Sequence, residues 1–148
     1  MKNHPSTAIH AAKVARSQVR IIGGQWRGRK LQFNEVAGLR PTGDRIRETL
    51  FNWLTPWIDG ARCLDLFAGS GALGIEALSR GAAEVTLIEK HPQAAENLRD
   101  NCARLKADDA RIIQADTLVW LTNNSPDKPF DIVFLDPPFS SDLLQPCC

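Results

Sequence analysis

The sequence lacks any run of about 18 consecutive apolar residues, the length that a membrane-spanning helix requires. Residues 1–5 also lack the apolar stretch on which secretion signals depend. No internal repeat or low-complexity tract is present, and 148 residues are an ordinary length for one domain. We therefore expect a cytoplasmic protein with no membrane partner.

Cysteine is scarce, and its spacing is not that of a metal site. The sequence contains no CxxC pair, and its four cysteines are Cys63, Cys102, Cys147 and Cys148. Structural metal sites usually place such ligands in closely spaced pairs. We therefore predict that the protein binds no metal and that its cysteines are buried or reduced.

Acidic residues are absent from the first 30 positions, although the whole chain has a net charge of only +1. Residues 1–60 contain ten basic and four acidic side chains, a net charge of +6, and the remainder has a net charge of −5. This asymmetry predicts a basic arm attached to a more acidic body. A polyanion such as RNA explains the arm, and a solvated basic tail explains it almost as well.

The N-terminal part divides into a tail and a hairpin. Residues 1–18 have no apolar periodicity, which indicates a disordered or loosely ordered basic tail. Two strand-like runs, residues 19–22 and 26–33, are separated by two glycines and predict a hairpin. Trp26 in the second run is expected to pack in the core.

A helix is predicted after the hairpin, and it completes a segment that we place at residues 19–60. Apolar residues at helical spacing run from 46 to 54. Pro56 is expected to close or kink this helix, because proline has no N–H to donate. Trp53 is expected in the core, and Arg47 is expected on a solvated or ion-paired face together with Glu48.

From residue 61 onward, buried strands alternate with helices. The strand-like runs cover residues 63–67, 85–89, 111–116 and 130–136. The helix-like segments between them cover residues 72–80, 91–106 and 117–122. This alternation predicts an α/β fold, a Rossmann-like, doubly wound parallel sheet over residues 61–148. Ligands of such sheets bind beyond the carboxyl ends of the strands.

A glycine-rich loop follows the first of these strands. Gly69-Ser70-Gly71-Ala72-Leu73-Gly74 matches the GxGxxG pattern, and Glu89 follows twenty positions after Gly69. Alone, this pattern fits a dinucleotide-binding loop. However, Asp65 in the preceding strand would repel a pyrophosphate and attract the ammonium group of S-adenosylmethionine. Glu89 would then accept hydrogen bonds from the ribose hydroxyls, and Asp116 would accept one from the adenine amine.

The most specific motif is Asp136-Pro137-Pro138-Phe139 at the end of the fourth predicted strand. Two consecutive prolines fix an extended loop and remove two N–H donors. The carbonyl groups and the Asp136 carboxylate can therefore act as acceptors, while Phe139 offers a flat surface for a base to stack on. The exocyclic amine of guanine or adenine is a poor nucleophile, and such acceptors would orient it for methyl transfer.

These motifs together resemble those of class I, Rossmann-like amino-methyltransferases. That resemblance rests on Asp65-Leu66-Phe67-Ala68-Gly69-Ser70-Gly71 and on the Asp-Pro-Pro-Phe loop. Two N-terminal blocks, residues 20–29 and 39–54, resemble more narrowly the RsmD-type bacterial guanine-N2 methyltransferases of small-subunit ribosomal RNA. The resemblance extends from residue 19 to residue 144.

The resemblance implies an S-adenosylmethionine-dependent, monomeric enzyme whose partner is ribosomal RNA or the small ribosomal subunit. It implies cofactor contacts from Thr42, Arg45, Asp65, Phe67, Ala68, Gly69, Ser70, Gly71, Glu89 and Asp116. It implies a catalytic loop made of Asp136, Pro137, Pro138 and Phe139. It also implies phosphate contacts from Arg27, Arg29 and Arg40. Members of that family continue beyond residue 148, so we expect the C-terminal part of the fold to be missing.

Three other functions fit parts of the same pattern. An adenine-N6 methyltransferase acting on DNA or RNA would share the Asp-Pro-Pro-Phe loop. A nicotinamide-dependent oxidoreductase would share the glycine pattern, although no His, Tyr or Lys constellation supports hydride transfer. An inactive RNA-binding fragment would retain cofactor affinity without turnover. Methylation of the guanine N2 amine remains the leading interpretation.

Overall fold

The computed structural model describes residues 16–34, 43–124 and 128–137. In chain order its elements are β1 (Arg16–Arg20), β2 (Lys30–Asn34), α1 (Asp44–Ile58), β3 (Arg62–Asp65), α2 (Ala72–Ser79), β4 (Glu84–Glu89), α3 (Pro92–Leu105), β5 (Ala110–Gln114), α4 (Thr117–Asn123) and β6 (Ile132–Phe134). None of these helices is long and apolar enough to cross a membrane.

Four strands form the main sheet in the order β5-β4-β3-β6, and each neighbouring pair is parallel. A helix lies in every connection between these strands, because a parallel neighbour can be reached only by a crossover. The chain moves from β3 outward to β4 and β5, and it then returns to place β6 on the other side of β3. This is the Rossmann-like, doubly wound arrangement that the sequence predicts, so the fold class is confirmed.

Alternate strand residues build a core on each face of the sheet. On one face of the sheet, the larger core contains the strand residues Cys63, Val85, Leu87 and Phe134. Residues of α1, α2, α3 and the hairpin belong to the same cluster. The smaller core contains Leu64, Leu66 and Ile88, against which Trp120 of α4 packs. This second face has less cover, since Val133 of β6 is 51% exposed.

Strands β1 and β2 pair antiparallel, which confirms the predicted hairpin, with Val19 opposite Leu31. Both side chains are buried in the larger core. Strand β1 begins at Arg16, so residues 16–18 are not part of a loose tail as expected. Pairing across the hairpin extends the strand there, because Ser17 lies opposite Phe33, a core residue. The rest of the predicted tail lies outside the described residues.

The hairpin turn is held on the C-terminal end of α2 by Ser79. The Ser79 carbonyl accepts a hydrogen bond from the N–H of Gln25 at 2.8 Å. The Ser79 hydroxyl accepts from the N–H of Trp26 at 3.0 Å and donates to the carbonyl of Gly23 at 2.6 Å. Trp26 is partly buried and packs against the larger core, as expected. Side-chain and backbone hydrogen bonds therefore fix the turn to the main domain.

Helix α1 differs from its prediction in two ways. Pro56 does not close the helix, which was one of the two outcomes expected of it. The helix continues to Ile58, because Phe51 and Ile58 on either side of the proline are both buried in the larger core. Packing therefore outweighs the loss of one backbone hydrogen bond. Trp53 is not in the core but is 71% exposed.

Arg47, also on α1, is 1% exposed. The expectation that it is solvated is therefore wrong, and the alternative expectation that it is ion-paired is confirmed. Its guanidinium contacts Glu76 of α2 at 3.3 Å and Asp44 at 2.5 Å. Glu48 beside it is exposed. A buried cation requires such partners, because its desolvation is otherwise very costly.

Replacement of Gly24 by alanine should destabilise the protein far more than the same replacement at Gly28. Both glycines have positive φ angles, +80° and +85°, and an alanine in this region costs roughly 1–2 kcal/mol. At Gly24 an added Cβ would also lie 1.9 Å from the carbonyl oxygen of Ser79, whereas at Gly28 it would meet nothing within 4 Å. Urea unfolding should show a loss of about 1 kcal/mol for Gly28→Ala and about 3 kcal/mol or more for Gly24→Ala. Equal losses would mean that the turn is not docked on α2 in solution.

Candidate functional site

Four carboxylates from different parts of the chain lie at the carboxyl edge of the main sheet. Glu89 ends β4, Asp65 ends β3, Asp116 follows β5 and Asp136 follows β6. The register brings β3 and β6 side by side, with Asp65 opposite Phe134, so Asp136 lies just beyond the end of β3. The sheet order therefore places one acid at each strand end. This is the edge at which doubly wound sheets bind ligands, and the change of direction between β3 and β6 is the usual position.

Asp65 is the most deeply buried of these acids, at 1% exposure. Its Oδ2 accepts a hydrogen bond from the N–H of Gly74, in the first turn of α2, at 3.1 Å. Among the described residues no hydrogen bond of normal geometry reaches Oδ1, which is also buried. A carboxylate oxygen that is buried without a partner is costly and indicates a binding position for a donor or a cation.

Burial raises the pKa of Asp65 from 3.8 to about 7. The N–H groups of Gly74 and Phe67 oppose this rise, and the nearby charges of Asp136 and Glu89 add to it. The Phe67 N–H thus lies close enough to affect the pKa, although it does not complete a hydrogen bond to Oδ1. A cation bound beside Asp65 would reverse the shift, because it favours the ionised carboxylate.

The three glycines of the loop have different roles. An added Cβ at Gly71 would lie 2.6 Å from Leu98, and one at Gly74 would lie 2.7 Å from Leu87. These two glycines allow α2 and α3 to pack closely on the loop and the sheet. At Gly69, by contrast, the φ angle is +55° and an added Cβ meets no atom within 4 Å. Gly69 therefore borders open space, where a ligand can approach the backbone.

Glu89 fixes the shape of this loop. Its Oε1 accepts a hydrogen bond from the N–H of Gly69 at 2.8 Å, and its Oε2 accepts one from the N–H of His91 at 2.9 Å. Each carboxylate oxygen can accept more than one hydrogen bond, so both retain capacity for a ligand. The backbone of Ala68 continues the link, since its N–H donates to the carbonyl of Ile88 at 3.0 Å. The Ser70 hydroxyl accepts from the N–H of Ala72 at 3.3 Å.

Asp116 is the N-cap of α4. Its Oδ1 accepts hydrogen bonds from the N–H groups of Leu118 at 2.9 Å and Val119 at 3.1 Å. Such capping satisfies N–H groups that have no partner within the helix. The side chain is exposed, and the predicted contact with an adenine amine would use Oδ2. That contact remains a prediction.

The structure brings only part of the predicted site together. Asp65, the glycine loop, Glu89, Asp116 and Asp136 share one edge, and Pro137 follows half-buried. Arg45 is exposed on the first turn of α1. Arg27 and Arg29 are exposed at the hairpin turn, away from that edge. Four of the predicted residues lie outside the described part of the chain: Arg40, Thr42, Pro138 and Phe139.

Sequence reasoning missed Glu76, which connects this edge to the hairpin. Its Oε1 accepts from the N–H of Ile22, and its Oε2 accepts from the N–H of Gly23, both at 2.9 Å. Arg47 and Arg80 contact the same carboxylate at 3.3 and 2.7 Å. A single acid within the otherwise apolar and small residues of α2 was the available signal. Among the described residues no group of three potential ligands is arranged to hold a metal ion.

The strand order, the glycine loop after β3 and the acidic strand ends define a Rossmann-like protein with a ligand site at the carboxyl edge of its sheet. A family model described as conserved hypothetical protein 95 matches residues 19–148. The chain belongs to this family, that of the RsmD-type methyltransferases.

Individual relatives support this assignment. Ribosomal RNA small subunit methyltransferase D of Escherichia coli strain K12 is 56% identical over 128 residues, which cover 86% of this chain and 64% of that protein. The protein of the same name from Haemophilus influenzae is 50% identical over 133 residues, which cover 88% and 69%. The solved structure of the yhhF protein of Escherichia coli shares 53% identity with a TM-score of 0.79, over 87% of this chain and 69% of that one. The chain thus spans 64% of the length of the first of these relatives.

Replacing Asp65 by asparagine should stabilise the protein at pH 8 but much less at pH 5. Between pH 3.8 and about 7 the folded state holds the Asp65 proton and the unfolded state releases it. Rising pH therefore lowers the free energy of unfolding in this window. The variant lacks this group, so its advantage over the parent should grow by about 2–3 kcal/mol from pH 5 to pH 8.

Urea unfolding at the two pH values measures the difference. Asp116→Asn is the matched control, because it removes a carboxylate from the same edge and keeps an oxygen that can cap α4. A constant stability difference between Asp65→Asn and the parent would show that Asp65 is ionised throughout, with its Oδ1 hydrated.

Proposed function

We propose that this protein transfers a methyl group from S-adenosylmethionine to the exocyclic N2 amine of a guanine in small-subunit ribosomal RNA. The observation that carries the proposal is the buried Oδ1 of Asp65, which has no hydrogen-bond partner among the described residues and lies beside both the glycine loop and Asp136. The name shared by the relatives from Escherichia coli and Haemophilus influenzae supports the choice of RNA.

The residues at the sheet edge fit S-adenosylmethionine better than a dinucleotide. When bound, this cofactor supplies an activated methyl group on a positively charged sulfonium. Asp65 would hold its ammonium group, since the carboxylate is desolvated and has an open acceptor position. Glu89 would bind the ribose hydroxyls, Asp116 the adenine amine, and Gly69 leaves room for the ligand at the backbone. A pyrophosphate would meet the charges of Asp65, Glu89 and Asp136 instead.

Asp136 would hold the target amine. It follows β6 beside the end of β3, and it is close enough to Asp65 to raise the pKa of that carboxyl. An exposed carboxylate there can accept a hydrogen bond from the amine and orient the nitrogen lone pair toward the methyl donor. Methyl transfer would form one N–C bond and break the S–CH3 bond, with the neutral thioether S-adenosylhomocysteine as the leaving group. The proton that the amine nitrogen loses could pass through Asp136 to solvent. Pro138 and Phe139 would complete the pocket, with Phe139 stacking on the base.

RNA would reach this pocket from the basic N-terminal segment. Arg27, Arg29 and Arg40 are proposed to contact phosphates, and Thr42 and Arg45 to cover the cofactor. A base within a duplex could not reach Asp136, so the target guanine would be unpaired or flipped out of its stack. We propose that the enzyme acts in the cytoplasm, as a monomer, on ribosomal RNA or the small subunit.

Calorimetric titration should show that the protein binds S-adenosylmethionine or S-adenosylhomocysteine and does not bind NAD. Because Asp65 must be ionised to hold the ligand ammonium, affinity should fall as pH drops below about 7, by up to about tenfold per pH unit. Asp65→Asn should bind more weakly and lose this dependence. Tight binding of NAD with no response to S-adenosylmethionine would disprove the proposed cofactor.

Mass spectrometry of nucleosides from methylated small-subunit RNA tests the reaction itself. The protein, the RNA and the labelled cofactor should yield N2-methylguanosine. N6-methyladenosine as the product would instead support the alternative activity on adenine. Binding of RNA and cofactor without any methylated nucleoside would indicate that this chain is an inactive RNA-binding fragment.

Variants of Asp136 in the same assay distinguish chemistry from binding. Asp136→Ala removes an acceptor that matters most as the amine nitrogen becomes pyramidal, so it should lower the single-turnover rate more than RNA affinity. Asp136→Asn keeps one oxygen acceptor and should retain more of the rate. A normal rate for Asp136→Ala at saturating RNA and cofactor would assign the orientation of the amine to another group.

A further inference from the structure

The C-terminal end of α3 lies directly against the basic hairpin turn. The guanidinium of Arg104 donates hydrogen bonds to the carbonyl of Lys30 and to Oδ1 of Asn101. The guanidinium of Arg29 in turn donates to the carbonyl of Arg104 at 3.4 Å. Lys106 follows as the C-cap of the helix. Arg104 is thus brought next to the cations of the turn, although more than 70 residues separate it from them in sequence, and Lys106 lies two residues beyond Arg104.

In the parts of the chain that the structure describes, these cations have no counterions. Ion pairs among the described residues do not include any member of the cluster formed by Arg27, Arg29, Lys30, Arg104 and Lys106. All five are exposed. Asp108 and Asp109 follow nearby on the surface, but neither is paired with them. Adjacent like charges repel one another, so a cluster with no counterion among the described residues indicates a site for an anionic partner.

We infer that Lys30, Arg104 and Lys106 belong with Arg27 and Arg29 to one phosphate-binding surface for RNA. The inference rests on the proposed function and extends its RNA contacts to α3, where no sequence motif indicates them. A helix C-terminus also attracts cations through its dipole. That effect accounts for Arg104 in the last turn, but not for the adjoining cations of the hairpin.

The surface is distant from the site of methyl transfer. Helix α3 begins at Pro92, three residues after Glu89, and its 14 residues extend roughly 20 Å at 1.5 Å each. Arg104 and Lys106 are at the far end. The surface would therefore bind the RNA backbone several nucleotides away from the target base. Its loss should raise the KM for RNA and leave the rate at saturating RNA unchanged.

Lys106 offers a variant that removes the charge without harming the fold. Its φ angle of +57° is the single positive value of a non-glycine residue in the described chain. Lys106→Gly should thus retain or increase the free energy of unfolding, because glycine adopts this conformation readily. Arg104→Gln removes the second charge and keeps an N–H donor for the carbonyl of Lys30. Arg99→Gln is the matched control, since Arg99 is on the same helix but is paired with Glu96 at 3.6 Å.

Fluorescence anisotropy of the full chain with a labelled transcript of small-subunit ribosomal RNA, at salt concentrations from about 50 to 200 mM, tests the inference. Each lost phosphate contact should lower the slope of log affinity against log salt by about 0.7–0.9, so the fall in affinity from about 50 to 200 mM should become smaller by roughly threefold. Lys106→Gly should lower the salt slope by the amount expected for one contact. The double variant of Lys106→Gly with Arg104→Gln should lower it by the amount for two, and Arg99→Gln should keep the parental slope. In methyl-transfer assays only KM should change.

Two results would overturn the inference in different ways. If Lys106→Gly and the double variant keep the parental slope while Arg27→Ala with Arg29→Ala lowers it, the surface ends at the hairpin and the proposed function stands. If the parent protein itself does not bind the transcript, the proposed function fails together with the inference.

Discussion

The carboxylate of Glu76 is the interaction on which the arrangement of this protein depends. It is almost fully buried. It binds the backbone of the hairpin at Ile22 and Gly23, the side chain of Arg47 on α1 and that of Arg80, the C-cap of α2. A charged group in this position is tolerable only when hydrogen bonds and ion pairs replace its hydration. Loss of one partner of such a buried pair typically costs about 3–5 kcal/mol, because the other charge remains desolvated. Glu76 thus ties three separate segments of the sequence to one point.

Helix α2, which carries Glu76, contacts the predicted cofactor site at one end and the hairpin turn at the other. Its N-terminal end carries the glycine loop and donates the Gly74 N–H to Asp65, whereas its C-terminal residue Ser79 holds the hairpin turn. All eight of its residues are buried, so the helix is fixed on every side. The proposed cofactor site and the proposed RNA surface are therefore attached to opposite ends of one short rigid element. Precise placement of a base beside a methyl donor benefits from such rigidity, because small displacements reduce rates strongly.

Asp65 is buried as deeply as Glu76, but its carboxylate is not fully hydrogen-bonded within the described residues. Glu76 has four donors and is satisfied, but the described residues leave Oδ1 of Asp65 without a hydrogen bond, and its pKa is raised to about 7. The fold thus maintains an acid that is unfavourable in the absence of a ligand. A bound cation would relieve that cost, so part of the binding energy comes from satisfying a group the protein has already desolvated.

The sequence by itself determined the fold class, the order in which the glycine loop and the acidic residues follow the strands, and most candidate cofactor residues. Local patterns suffice for these features. Neighbouring residues identify the loop from Gly69 to Gly74, Glu89 and the acids after later strands, and the carboxyl ends of parallel strands meet at one edge of a sheet.

Local patterns could not show that Pro56 stays within α1, that Trp53 is exposed or that Arg47 is buried. Each of these depends on what packs against α1 from elsewhere in the chain. Only the tertiary structure decided which distant charges meet: it pairs Glu76 with Arg47 and brings Arg104 beside Arg29. The reason is physical, because desolvation and ion pairing depend on distances between segments that are far apart in sequence.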